Sequence, residues 1–254
     1  MSRPSAPLNR DTAAQIARMA ECVIRPLEFV HDDYLSHSPL DGQAFKKLAA
    51  FPAFCTPLNQ AFSRNLGLKQ LSFSKDFLRE LDENVALKIT LRLLQYETAE
   101  IVTLARHCAA IQLFPQIRLC VLKSKRKKAE TILGSDAFLT AMREAQAFYP
   151  CLAERSRAFQ LDEVLRPNSD QEGYENPDRE TSHGAAQNAH PTIWEGLKTF
   201  IAFARRADPG CATLFSLRFQ NPMTTAGLTS TAPTLTDMQA AELTTFFRNR
   251  GVPW

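Results

Sequence analysis

The chain reads as a mainly α protein: an irregular multi-helix globular bundle with one long central helix and a proline-rich N-terminal loop region. Two observations carry that reading. The apolar positions Leu87, Leu91, Leu94, Thr98, Ile101, Ala105 and Cys108 step alternately by four and three residues, which lays one stripe along a helix. No Gly or Pro interrupts the sequence between Glu83 and Leu113, so the long helix is expected to span that range. Alternation of the strand kind appears only in part, at Leu214–Phe219, which reads as a short strand or an extended segment.

The remaining elements follow in order. A first amphipathic helix is expected from Asp11 to Val23, capped by Asp11 and ended by Pro26, with Ile16, Met19, Ala20 and Val23 inward. Residues 26–57 carry Pro26, Pro39, Pro52 and Pro57. They read as loops and short helices whose Phe29, Tyr34, Leu35, Phe51 and Phe54 tuck against the core. Ser74-Lys75-Asp76 before Phe77, Leu78 and Leu81 predicts a short capped helix leading into the long one. Pro115 suits the first turn of the next helix, with Ile117, Cys120 and Val121 facing inward. Gly134 reads as a left-handed stop and Ser135 as the N-cap of a helix to Phe148, its apolar face being Ala137, Phe138, Met142, Ala145 and Phe148.

From Arg166 to Pro191 the composition turns to Asn, Ser, Asp, Glu, Gly, His and Pro, the make-up of a flexible loop. The expected organisation is therefore a main helical domain at 1–165, an acidic linker at 166–190, and a C-terminal helical segment at 191–254 packing on the main domain. Within that last segment, Trp194, Leu197, Ile201 and Ala204 share a helical face, and Asp208-Pro209-Gly210 breaks the helix. A Thr-rich loop spans 224–233. A T-x-x-Q capping box at Thr236 and Gln239 opens the final helix, which carries Met238, Leu243, Phe246 and Phe247 and ends at Gly251.

Thirty Lys and Arg against 27 Asp and Glu give a net charge of +3, too mild to imply nucleic acid by itself. Residues 1–9 are polar and Pro-bearing, without the apolar core of a signal peptide. No window approaches the roughly 18 apolar residues of a membrane span. The expectation is a cytoplasmic chain with no direct membrane insertion. The six cysteines are far apart with no CxxC pair, so they read as reduced, mostly buried thiols.

The chemistry-bearing motifs are sparse. The nine glycines are scattered, with no GxGxxG or GxxxxGK[ST] turn to cradle phosphate. His31 and His37, or His183 and His190, lack matching cysteines for zinc. Cys108 lies in the apolar stripe, where burial raises a thiol pKa instead of activating it. Glu97 with Glu100, and Asp162 with Glu163, read as solvated helix faces. The expectation is no catalytic residue, no cofactor and no metal site.

One charge feature stands out. Lys123-Ser124-Lys125-Arg126-Lys127-Lys128 packs five cations into six residues. It reads either as the exposed turn between two helices, with cations at a helix C-terminus, or as a grip for an anionic partner. No aromatic residue interleaves with the cations, as single-stranded nucleic acid would ask, so an acidic protein is the favoured occupant. The linker's Asp170, Glu172, Glu175, Asp178 and Glu180 supply an internal acidic candidate. Phe29, Tyr34 and Leu35, in a Pro-punctuated stretch without helical period, are the second, apolar docking element. A generic helical adaptor or chaperone, or a nucleic-acid-binding module using the basic run, are the alternative readings.

Several segments together resemble a known family. They are the helix Leu87–Leu113, Pro115-Gln116-Ile117-Arg118-Leu119-Cys120-Val121, Leu133-Gly134-Ser135-Asp136-Ala137-Phe138, and a helix ending Phe148-Tyr149-Pro150. In this order they resemble the central helices of the SctK family, the YscK- and OrgA-type accessory proteins of bacterial type III secretion systems. The region Arg25–Leu35 is similar to that family's N-terminal P-x-x-Y pattern. Trp194-Glu195-Gly196-Leu197 with Leu217-Arg218-Phe219-Gln220-Asn221-Pro222 is similar to its distal helix and ending. The acidic linker and the helix after Thr236 have no counterpart in the pattern. The resemblance implies a helical, non-enzymatic protein at the cytoplasmic face of the inner membrane. There it would link the cytoplasmic domain of the inner-membrane ring protein SctD to the pod protein SctQ, and through SctQ to the SctL–SctN ATPase complex.

Overall fold

The computed structural model describes residues 10–35, 41–65, 81, 83–155, 159–165, 190–219 and 234–253. The helix expected at 74–81, all but its last residue, the linker at 166–189 and the Thr-rich loop at 224–233 lie outside the described residues. The helices are α1 (Arg10–Ile24), α2 (Gly42–Ala50), α3 (Pro52–Asn65), α4 (Val85–Leu93), α5 (Thr98–Gln112), α6 (Phe114–Leu119), α7 (Lys123–Leu133), α8 (Ser135–Phe148), α9 (Pro150–Ala153), α10 (Leu161–Val164), α11 (Pro191–Ala207), α12 (Pro209–Ser216) and α13 (Asp237–Asn249), with 3-10 turns at Pro26–Glu28 and Asp32–Leu35. The fold is mainly α, and no strand occurs among the described residues.

The expected long helix is two helices. Glu100 accepts the Glu97 N–H at 2.7 Å and closes a reciprocal capping box that starts α5. Upstream, the N–H groups of Gln95 and Tyr96 fold back onto the carbonyls of Arg92 and Leu93. Arg218 closes the end of α4, donating to Leu94 O at 3.2 Å and Tyr96 O at 2.5 Å and adding a second bond to Leu93 O at 3.3 Å. This break is also where the chain divides. One compact unit comprises Met1–Tyr96, Ala204–Thr229 and Val252–Trp254, the other Glu97–Phe203 and Ser230–Gly251. The chain first crosses between the units at Tyr96 and Glu97, and residues 191–203 and 230–251 belong to the second unit.

In the first unit α1 begins at Arg10, one residue before the expected cap, and ends before Pro26. Two real helices occupy much of the expected loop region: Pro52 opens α3 and Pro57 sits inside it. Leu27, Val30, Leu35, Ala49 and Leu217 form a core flanked by Tyr34, Phe45, Leu58 and Phe62. Buried Asn59 fixes the turn above it, accepting the Leu27 N–H at 3.1 Å while donating to Cys55 O at 2.8 Å. Phe51 and Phe54, expected against the core, are exposed. Leu214–Phe219 is no strand: Leu214–Ser216 end α12 and residues 217–219 turn away after it, while the α12 N-cap Asp208 accepts the Cys211 N–H at 2.7 Å.

The second unit is built around α5, which is buried at Ile101, Val102, Leu104, Ala105 and at every position from His107 to Gln112. Gly196 of α11 abuts this helix. A Cβ there would fall 2.7 Å from the carbonyl carbon of Ala105 and closer still to its oxygen. Below it, Phe200, Phe203, Phe246, Phe247 and Tyr149 stack edge to tilted face between α11 and α13. The capping box expected at Thr236 and Gln239 is present, with both reciprocal bonds at 3.2 Å. Gly134 (φ 82°) and Gly251 (φ 74°) end their helices in backbone conformations that suit glycine. Ser135 is the first residue of α8 and gives no side-chain cap. The buried face of α8 is Ala137, Phe138, Ala141 and Ala145, whereas Met142 and Phe148 are exposed, as is Met238 of α13.

Gly196→Ala should overpack the α5–α11 contact and lower stability by ~3 kcal/mol, read as a fall in the urea midpoint. An unchanged midpoint would mean that the helices do not approach so closely. Arg218→Met should cost ~2 kcal/mol by removing the donor to Leu94 O and Tyr96 O, in the same assay.

Candidate docking surface

The basic run does not form a turn, nor does it close a helix. Lys123 is the first residue of α7, no acidic residue lies in the first turn, and the N-cap Leu122 gives no side-chain cap. Lys123, Lys125 and Arg126 therefore sit in the first turn, where the macrodipole is positive, the reverse of the favoured arrangement, and Lys127 and Lys128 follow in the second. Lys125 reaches Asp162 at 2.9 Å, Lys128 donates to Leu165 O at 3.2 Å, and the Arg126 guanidinium lies 5.6 Å from the centroid of Phe138. Lys123 and Lys127 are exposed, and their ammonium groups meet no carboxylate or hydrogen-bond acceptor among the described residues. The opposite face of α7 holds it down through Ala129 and Leu133.

The second expected docking element behaves differently. Leu35 is 3% exposed and belongs to the core of the first unit. The Tyr34 hydroxyl donates to Ser216 O at 3.4 Å, and Phe29 lies 4.4 Å beneath the Arg18 guanidinium. The His31 N–H donates to Leu217 O at 2.7 Å. This segment is therefore a strap that fastens the first unit, and Leu35 is unavailable to a partner while the unit is folded.

Val121, expected to face inward, points into solvent instead. Helix α6 ends at Leu119, and the chain turns at Cys120 (ψ 81°). Val121 is consequently 91% exposed, Leu119 79% and Leu122 61%. One face of α6 is fully committed: Ile117 is buried, and Gln116 bridges Phe159 O at 2.5 Å and the Leu161 N–H at 2.8 Å. The other face, Phe114, Pro115, Arg118 and Leu119, lines a groove of ≈ 590 Å³ closed by Gln146, Pro150, Ala153 and Glu154. Arg118 spans it, donating to Gln146 Oε1 at 3.4 Å and lying 5.6 Å from the Phe114 ring centre. The α9 edge is held in place by Glu242, which accepts the N–H groups of Cys151 at 3.0 Å and Leu152 at 2.8 Å.

Burial sets the state of three of the cysteine thiols. All six cysteines are free thiols. Burial pushes the Cys108 thiol up to about 12 and raises those of Cys22 and Cys211, so all three stay protonated at neutral pH. No cluster of three His, Cys, Asp or Glu able to hold a metal occurs among the described residues, and no described helix is long and apolar enough to cross a membrane. No protein-family model matches the chain, and no match was found among curated proteins or solved structures.

Burial lowers the pKa of His31, His107 and His190 below the ordinary 6.5. At His107 the Arg250 and Arg106 charges add to burial, outweighing Asp136 3.3 Å away. Unfolding therefore takes up protons just below pH 6.5, and stability falls as pH drops through that value. Melting should occur several degrees lower at pH 5.5 than at pH 7.5, and His107→Gln should reduce that difference. A melting temperature flat across this range would refute the assignment.

Proposed function

We propose that this chain is a non-enzymatic adaptor of a bacterial type III secretion sorting platform. In that role it bridges the cytoplasmic domain of the inner-membrane ring protein SctD and the pod protein SctQ, and through SctQ communicates with the SctL–SctN ATPase complex. It works at the cytoplasmic face of the inner membrane. The observation that carries the reading is the resemblance of the segments from Leu87 to Pro150 to the SctK pattern. The fold gives that reading a physical outlet, because Arg118, Leu119 and Val121 of the pattern are exposed and the segment continues into a cationic helix. An adaptor needs such docking faces on a rigid support, and α5 supplies the support.

The full chain should bind the purified SctD cytoplasmic domain or SctQ saturably, with a dissociation constant of ~1 μM or tighter. Size-exclusion chromatography should then show a stoichiometric complex. A chain shown to be folded by circular dichroism that bound neither protein would refute the proposal.

A further inference from the structure

We infer that the groove between α6 and α9, with Leu119, Val121, Leu122 and the cationic start of α7, is a docking surface for an acidic amphipathic helix of a partner protein. The inference uses the adaptor reading only to name the partner tested; the surface itself follows from the side chains.

Shape comes first. The groove is ≈ 590 Å³ and floored by Phe114, Pro115, Leu119, Pro150 and Ala153, a size and lining suited to two or three apolar side chains. A helix presents such side chains at i, i+3 or i+4, and i+7, which makes helix-in-groove the natural mode. Beside it, Val121 and Leu122 stand in solvent, where a bound helix would cover them.

Charge then selects the flanks of that helix. Between Phe114 and Lys128 there are six cations and no carboxylate. Asp162 offsets Lys125, whereas Lys123 and Lys127 remain unmatched among the described residues, and the positive end of α7 adds to their field. Asp or Glu along the edges of the incoming helix would satisfy all three, and would also speed the encounter.

A lipid surface would ask for something else. A bilayer favours a convex apolar face, but here much of the apolar surface is concave and rimmed by Gln146 and Glu154, which a bilayer would strip of water without compensation. The outward side of α7 is polar throughout its first two turns.

The test titrates the full chain into a fluorescent peptide of about 18 residues, five helical turns, with Leu on one face and Glu on the flanks. A second peptide carries Lys in place of Glu. Two variants are compared, Leu119→Ser with Val121→Ser and Leu122→Ser, and Lys123→Glu with Lys127→Glu. All five positions are exposed, so both should keep the wild-type circular dichroism and melt at no lower a temperature. Each variant should weaken binding of the acidic peptide by ~tenfold or more, and the Lys-flanked peptide should bind ~tenfold more weakly than the acidic one. Equal binding of the two peptides, or full binding by both variants, would overturn the inference.

The same variants are assayed against the SctD cytoplasmic domain and SctQ. Loss of either complex by both variants assigns the surface to that partner. If the wild-type chain binds neither protein but binds the acidic peptide through these residues, the surface stands and the adaptor reading falls. If a partner complex forms and survives both variants, and the acidic peptide is not bound, the adaptor reading stands and the surface is overturned. Sedimentation with vesicles one-third phosphatidylglycerol, lost in the Ser variant while the peptide is ignored, would reassign the surface to lipid and also overturn it.

Discussion

The second unit depends on one constraint: α5 is buried on nearly every side. A helix at the edge of a core has a polar stripe with which to face water. From Ile101 to Gln112 only Thr103 is exposed, with Arg106 half-buried, so neighbouring elements must close over almost the whole circumference. That demand explains features that look local. Position 196 must be glycine because α11 approaches the backbone of Ala105 directly. The one amide on the closed face, Gln112, needs a partner inside and finds Thr199 Oγ1 at 2.7 Å. Arg155 donates to the same hydroxyl at 3.1 Å and reaches on to Gln239, in the cap of α13, at 3.2 Å. A buried polar link of this kind is stable only when all its members are satisfied.

The first unit rests on a competition at residues 94–97. The stripe from Leu87 to Cys108 repeats every 3.5 residues, whereas a straight helix turns every 3.6, so such a stripe drifts by ~20° per heptad. Over three heptads one straight helix would carry its apolar face well around its axis. Two interactions make the break stable: Glu100 caps the start of α5, and Arg218 collects the carbonyls at the end of α4. Arg218 is 122 residues away from Tyr96 along the chain, so no local pattern announces it.

That contrast explains what the sequence could and could not tell. Signals carried by one turn were legible: the stop at Pro26, the break at Asp208-Pro209-Gly210, the glycine ends at 134 and 251, and the Thr236–Gln239 box. Their energetics lie within three or four residues. The α4–α5 break was hidden because Glu97 is an uncommon N-cap and the guanidinium that completes the break comes from a distant segment. Periodicity also groups side chains onto a face without saying whether anything covers it. Leu119, Val121 and Leu122 look like core by composition, as do Met142 and Phe148, yet all five are exposed. Leu35 reads both as tucked against the core and as a docking residue, and its packing with Leu217 decides for the core.

The basic run combines both kinds of mismatch. A helix that begins Lys-Ser-Lys-Arg-Lys-Lys meets its own dipole with the wrong sign and gains nothing from its N-cap. Each such penalty is a few tenths of a kcal/mol, small enough for Ala129 and Leu133 to offset through burial. Folding therefore tolerates this arrangement but supplies no reason for it. Local conflicts that the rest of a fold has to outweigh tend to mark function. Here the conflict lies immediately after three of the most exposed apolar side chains in the described structure. An anionic helix laid across both would relieve the two mismatches together, covering the apolar side chains with its own apolar face and answering the cations with its flanks.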